Sequence, residues 1–175
     1  MKKTILFLIA ILPLIGFAQS IKVDKIDEFT KHHVIESSWF TIKSNFGKEY
    51  KCKLSKIDSD KITLVLKMVT TGSMVYSINA GDELMLKLDN DSIVTLHCLE
   101  YVISSMSHSG SITSTFSQQR YSLYYNDIKQ ILEHKVFKFR VYTSEGYIEI
   151  DILNEDNQIK LSNAIKLFSL NDYNN

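Results

Sequence analysis

The feature that most constrains this chain is a period of two. From Lys61 to Val69 the residues read KITLVLKMV, with Ile62, Leu64, Leu66 and Met68 on one face and Lys61, Thr63 and Lys67 on the other. Residues 48–56 repeat the pattern, setting Tyr50, Cys52 and Leu54 against Lys51, Lys53 and Ser55. Residues 83–88 place Leu84, Leu86 and Leu88 together. Successive side chains of an extended strand point to opposite faces, so this alternation means one face in a core and the other in water. Such half-wet strands belong to antiparallel sheets, because parallel strands are buried on both faces and read as unbroken apolar runs.

Turn residues punctuate the strands at Asn45-Phe46-Gly47, Asp58-Ser59-Asp60, Thr71-Gly72-Ser73, Asn79-Ala80-Gly81-Asp82 and Asp89-Asn90-Asp91-Ser92. Their spacing of roughly ten residues is that of a β-sandwich or barrel. Parity tests the register, since a slip of one residue turns every side chain to the wrong face. Near residue 90 a three-residue loop, Asn90–Ser92, opposes Leu88 to Val94, Leu86 to Leu96 and Leu84 to Cys98, and turns Cys98 inward. A four-residue loop, Thr143–Gly146, opposes Val141 to Ile148, Phe139 to Ile150 and Phe137 to Ile152. On the wet face it sets Arg140 against Glu149 and Lys138 against Asp151, which reads as pairing within a sheet.

Two segments break the pattern. Asn126 is positioned to cap a short helix, Asp127–His134, with Ile128, Ile131 and Leu132 on one stripe. Asn154 is positioned to cap a C-terminal helix, with Glu155 and Asp156 in its first turn. Leu161, Ala164, Ile165 and Phe168 then recur at helical spacing. The expected architecture is α+β and mainly antiparallel. It is a β-sandwich or flattened barrel of about eight or nine strands, with one short internal helix and an amphipathic C-terminal helix packed on it.

The N-terminus predicts a destination. Lys2 and Lys3 precede an apolar run, Ile5–Ile15, broken by Pro13, and the small residues Gly16 and Ala18 stand before Gln19. This looks like a bacterial secretory leader cleaved between Ala18 and Gln19, too short to span a bilayer. The expected organisation is a signal peptide at 1–18, a polar lead-in at 19–30 and one β-rich domain at 31–175. The mature chain is expected in the periplasm or outside the cell, without a transmembrane segment. An outer-membrane barrel is disfavoured by the C-terminal helix and by Lys51, Lys53, Lys67 and Lys87 on the second strand face.

Charge excludes some partners. Lys+Arg and Asp+Glu number 20 each, and without Lys2 and Lys3 the balance is 18 to 20. That gives no reason to expect nucleic acid or an anionic membrane, both of which reward a strong positive field. An oxidising compartment permits a disulfide between Cys52 and Cys98, and two buried free thiols fit as well.

No residue pattern carries chemistry on its own. His32 and His33 are adjacent, and His97, His108 and His134 are scattered, so metal-ligand spacing is missing. Asp58-Ser59-Asp60 and Asp89-Asn90-Asp91 lack the central glycine and closing glutamate of a calcium loop. The oddest composition is residues 104–117, SSMSHSGSITSTFS. It offers a serine nucleophile with His108 as base, but without a strand-to-helix serine elbow. Ile112 and Phe116 mark part of it as strand. Trp39 and the tyrosines, including Tyr121, Tyr124 and Tyr125, read as structural aromatics. No catalytic residue, metal or cofactor is assigned. The leading expectation is an exported, non-catalytic binding or interaction domain with a protein or carbohydrate partner. The alternatives are a small barrel carrying an apolar ligand and a hydrolase with a noncontiguous site near the Ser-rich segment.

Overall fold

A computed structural model describes residues 19–58 and 62–172. Residues 1–18, the expected signal peptide with Ala18 of the expected cleavage site, and Lys61 lie outside the described residues. The strands are β1 (Ile21–Ile26), β2 (His33–Ser37), β3 (Phe40–Asn45), β4 (Lys48–Ile57), β5 (Thr63–Thr71), β6 (Ser77–Ile78), β7 (Glu83–Leu88), β8 (Ile93–His97), β9 (Val102–Ile103), β10 (Ser105–Ser109) and β11 (Ile112–Ser122). After α1 (Tyr125–Glu133) come β12 (Val136–Thr143) and β13 (Gly146–Asp151), then α2 (Glu155–Gln158) and α3 (Lys160–Asp172).

All strand pairs are antiparallel, and the fold is a sandwich rather than a closed barrel. The larger sheet runs β1-β2-β4-β5-β11-β10, with β3 on the other half of β4. The smaller runs β13-β12-β7-β8. They meet where Cys98 bridges Tyr121 and the Leu99 amide donates to the Arg120 carbonyl at 2.8 Å. Among the described residues the strands number thirteen, more than the eight or nine expected, because the sequence pattern does not resolve two-residue strands such as β6 and β9. Residues 19–30 are also more than a lead-in: β1 pairs with β2 over Val23–Ile26 and His33–Glu36. The larger sheet thus begins almost at Gln19, which is itself buried and donates its amide to the Lys160 carbonyl at 2.7 Å.

The alternating faces fill one core. Tyr50, Cys52, Leu54, Leu64, Leu66 and Met68 of the larger sheet meet Leu84, Leu86, Leu88, Phe139, Val141 and Ile150 of the smaller. Fully burying such side chains contributes roughly 1.5–3 kcal/mol each relative to exposure. The open edges correct the barrel form of the expectation. A barrel would join its last strand to its first, and here the sheets end on β1, β10, β13 and β8.

Register follows parity more closely than it follows loop length. The β12–β13 ladder sets Val141 against Ile148, Phe139 against Ile150, Arg140 against Glu149 and Lys138 against Asp151, as the sequence predicts. Thr143 pairs with Gly146, so the connecting turn is two residues. At the β7–β8 hairpin the inward set is right but the pairing is two residues off: Leu86 faces Val94, and Leu84 faces Leu96 rather than Cys98. Phe137 also departs from expectation. A bulge between Val136 and Lys138 puts Val136 in the core and leaves Phe137 half-buried beside the Lys87 ammonium, 5.3 Å from its ring centre.

The helices form close to where their patterns place them. Leu161, Ala164, Ile165 and Phe168 of α3 are all buried. The Asn154 side chain accepts from the Asn157 amide, and the helix is split in two at Ile159. The α1 cap is corrected. Asn126 lies inside the helix, and the start is fixed at Tyr124, whose amide donates to the Asp127 carboxylate at 2.8 Å. Helix α1 packs on α3 and β8, and α3 packs on β4, so the pair ties the two sheets together. Among the described residues no helix is long and apolar enough to cross a membrane.

Candidate functional site

The Ser-rich segment becomes a hairpin. Strand β10 pairs with β11 across Gly110-Ser111, from Ser109–Ile112 to Ser105–Phe116. Gly110 takes φ +59°, a left-handed conformation that suits a tight turn. Strand β11 continues into the sheet against β5 from Ser114–Thr71 to Ser122–Thr63. Residues 114–116 thus pair with β5 and β10 at once, only the hairpin tip projects beyond Thr71, and all five residues of β10 are exposed.

The two faces of β11 are inverted relative to ordinary sheet chemistry. Thr115, Ser117, Gln119 and Tyr121 are buried, while Ile112 and Phe116 are 57% and 42% exposed. The inward polar groups are only partly paired. The Thr115 hydroxyl donates to the Gly72 carbonyl at 2.9 Å, and the Ser117 and Tyr76 hydroxyls lie 2.8 Å apart. Both amide atoms of Gln119 and the Tyr121 hydroxyl lack a partner among the described residues. Burial pushes the phenols of Tyr50, Tyr76 and Tyr121 above their ordinary range. These are neutral groups, and none is poised to exchange a proton near neutrality. The signal for this inward row is in the sequence. Residues 115, 117 and 119 share parity with the core residues Tyr121 and Leu123.

On the outer face, Lys67, Val69, Ser107, Ser114 and Phe116 line an open groove of about 420 Å³. The connection into the hairpin adds Leu99, Tyr101 and Ile103, each about half exposed or more. Beside them Arg120 and Glu100 form a two-point ion pair at 2.8 and 2.9 Å, which holds the carboxyl below its usual range.

His108, the base of the expected hydrolase site, lies on the exposed hairpin. His108 Nδ1 lies 3.0 Å from the Thr113 hydroxyl on the exposed hairpin, and that hydroxyl is its hydrogen-bond partner. The other histidines are engaged elsewhere. His32 bonds Asp58, and His33 Nε2 bonds Asp24 at 2.6 Å, so the adjacent pair splits between two carboxylates. His134 sits between Asp89 and Asn90, each at 3.0 Å, and His97 Nδ1 donates to the Gly81 carbonyl at 3.1 Å. Among the described residues no group of three or more His, Cys, Asp or Glu side chains is placed to hold a metal ion.

The cysteines are two buried free thiols. Cys52 lies between Phe40 and Leu66 in the sheet, and burial pushes its thiol far up. Cys98 donates to the Glu100 carbonyl at 3.2 Å and is also raised by burial. Thiols so protonated are poor nucleophiles. The charges on the smaller sheet pair among themselves: Lys138 lies 3.0 Å from Asp151, Arg140 Nε 3.0 Å from Glu149, and Lys87 2.8 Å from Asp91. Trp39 is 38% exposed beneath the Lys53 ammonium, itself 2.7 Å from Glu36. Tyr124 and Tyr125 face solvent beside α1.

Comparison with protein-family models, with curated proteins and with solved structures finds no match to this chain.

Proposed function

We propose that this chain is an exported, non-catalytic interaction domain, and that it receives an extended protein strand at the free edge of β10. Export rests on the leader-like residues 2–19. The interaction reading rests on one observation: β10 is an edge strand whose five residues are all exposed and carry no formal charge.

Edge strands present unpaired N–H and C=O groups and are ordinarily blunted by charge, proline or a covering element. Strand β1 at the opposite edge follows that rule, with Lys22, Asp24 and Lys25, and β13 carries Glu149 and Asp151. Strand β10, Ser-Met-Ser-His-Ser, carries neither charge nor proline, and the cover from Tyr76, whose carbonyl accepts from the Ser104 amide at 2.9 Å, stops just before it. Strand addition takes affinity from main-chain hydrogen bonds and specificity from neighbouring side-chain pockets. Here the groove beside Phe116 and Val69 supplies the pocket.

The spacing of the hairpin identifies the receiving groups. When two residues close a hairpin, the flanking pair exchanges hydrogen bonds and every second pair after it does the same. In β10 those are Ser109, Ser107 and Ser105, all bonded toward β11. The main-chain groups of Met106 and His108 point away, into solvent.

The test is selection of displayed ten-residue random peptides on the purified chain. Met106→Pro removes one outward N–H and leaves the β10–β11 ladder intact. Enriched peptides are expected to bind the parent chain and to lose at least tenfold in affinity on Met106→Pro. Peptides that bind both proteins equally, or a selection that enriches none, overturn the reading.

A further inference from the structure

Resting on the reading of β10 as a receiving edge, we propose that its occupant is β10 of a second copy of this chain, paired antiparallel about a two-fold axis at Ser107. A two-fold interface is self-complementary: whatever residue i meets, its symmetry mate must meet in turn. Any strand meets this by geometry, and β10 meets it without opposing like charges. Reading outward from Ser107, Met106 and His108 come first and Ser105 and Ser109 second. Setting Ser107 against Ser107 of the other copy opposes Met106 to His108 twice and Ser105 to Ser109 twice.

The main chain selects the same register. The outward N–H and C=O groups belong to Met106 and His108, and an antiparallel pair exchanges bonds between residues directly opposite. With Ser107 on the axis, each Met106 faces a His108, and both such pairs form. A shift of one residue would oppose the outward groups of Met106 to a serine whose own groups are already bonded to β11. Shifts of two residues keep only one of the two pairs.

Side chains agree with that placement. Directly opposed residues lie on the same face of an antiparallel sheet. On the outer face the row Phe116–Ser105 continues across the seam into Ser109–Ile112 of the second copy, and the reverse row repeats it. On the inner face Met106, 46% exposed in the single copy, is covered by the opposing His108. No formal charges meet. The contrast is β1: antiparallel self-pairing about its centre would oppose Lys22 to Lys25 twice, a destabilising juxtaposition. The pairing joins seven strands from each copy into one continuous sheet.

The contact is small, which makes the dimer weak and concentration-dependent. Sedimentation equilibrium on the parent chain is expected to show the mass rising from monomer toward dimer between about 10 µM and 1 mM, the range of interfaces below ~1,200 Å². Met106→Pro and Ser107→Lys are expected to stay monomeric over that range with unchanged far-ultraviolet circular dichroism. Mixing Ser107→Lys with Ser107→Glu is expected to restore the dimer, because opposite charges then face each other at the axis. A dimer that persists in both single variants overturns the proposal, as does failure of the mixture to associate. A parent chain that stays monomeric yet still takes selected peptides at β10 overturns the second copy and leaves the receiving edge standing. One that does neither overturns both.

Discussion

Replacing Gln119 by Met tests whether the inward polar row costs stability. Gln119 is fully buried, opposite Leu66 of β5, and neither its amide nitrogen nor its amide oxygen has a partner. A buried polar group without a hydrogen bond costs about 1–3 kcal/mol relative to its hydrated state. Methionine has nearly the same length and volume and needs no partner, and a swap that conserves volume costs under about 1.5 kcal/mol. Recovering both amide groups against that repacking leaves Gln119→Met more stable by about 1–2 kcal/mol. In a chain of this size that is a rise in Tm of roughly 2–8 °C. Urea unfolding followed by circular dichroism reads the same change as a higher midpoint with an unchanged slope. Gln118→Met is the control: Gln118 is exposed on the outer face, and its replacement is expected to stay within about 0.5 kcal/mol. A destabilised Gln119→Met refutes the reasoning. It would mean that the amide is satisfied in solution, with ordered water joining it to the Tyr121 hydroxyl as the simplest means.

Two further outcomes follow from the termini and from one turn. The Asp58 carboxylate accepts from the His33 amide at 2.7 Å and bonds the His32 ring, contacts that hold its pKa below the ordinary 3.8. A carboxylate whose folded pKa is depressed contributes stability above its unfolded value, and that contribution disappears as pH falls through the folded value. Asp58→Asn is therefore expected to lower the urea midpoint at pH 7, with the difference from the parent closing below pH 3.8; a difference independent of pH refutes the assignment. If residues 1–18 are a leader, N-terminal sequencing of the exported chain begins at Gln19, and a chain exported with Met1 in place refutes it.

What was legible in the sequence was parity. Leu84, Leu86 and Leu88 share a face because two-residue periodicity is a local property of extended backbone, and the buried set matches. Loop length was less legible. The β7–β8 hairpin closes at Lys87–Ile93, around Asp91 at φ +65°, and no apolar residue is misplaced by the two-residue shift. The bulge at Val136–Lys138 was hidden for a different reason. Val136 and Phe137 are both apolar, and only the ladder with β7 decides which one enters the core. The β1 strand was hidden by composition, since an edge strand with one shallow face reads as polar. The inward row of β11 shares its parity with Tyr121, but Thr115, Ser117 and Gln119 are polar, and only packing shows that they are buried.

Two of the departures meet at one place. A sheet organised only for stability buries Phe116 and Ile112 and exposes Gln119, Ser117 and Thr115; β11 does the reverse. It also guards its edges with charge, as at β1 and β13, and β10 is an edge without charge whose five residues are all exposed. Each choice has a cost of its own: apolar surface in water, an unpaired amide in the core, and an open row of backbone donors. Sequences that fold well satisfy pattern, pairing and polar satisfaction together, and exceptions gather where a second requirement acts. Two of the three, the uncharged edge and the outward Phe116, lie where the proposed pairing at β10 acts: it would bond the outward groups of Met106 and His108 and bring a second strand alongside the groove at Phe116. The Gln119 amide lies in the core opposite Leu66, and its cost is a separate one.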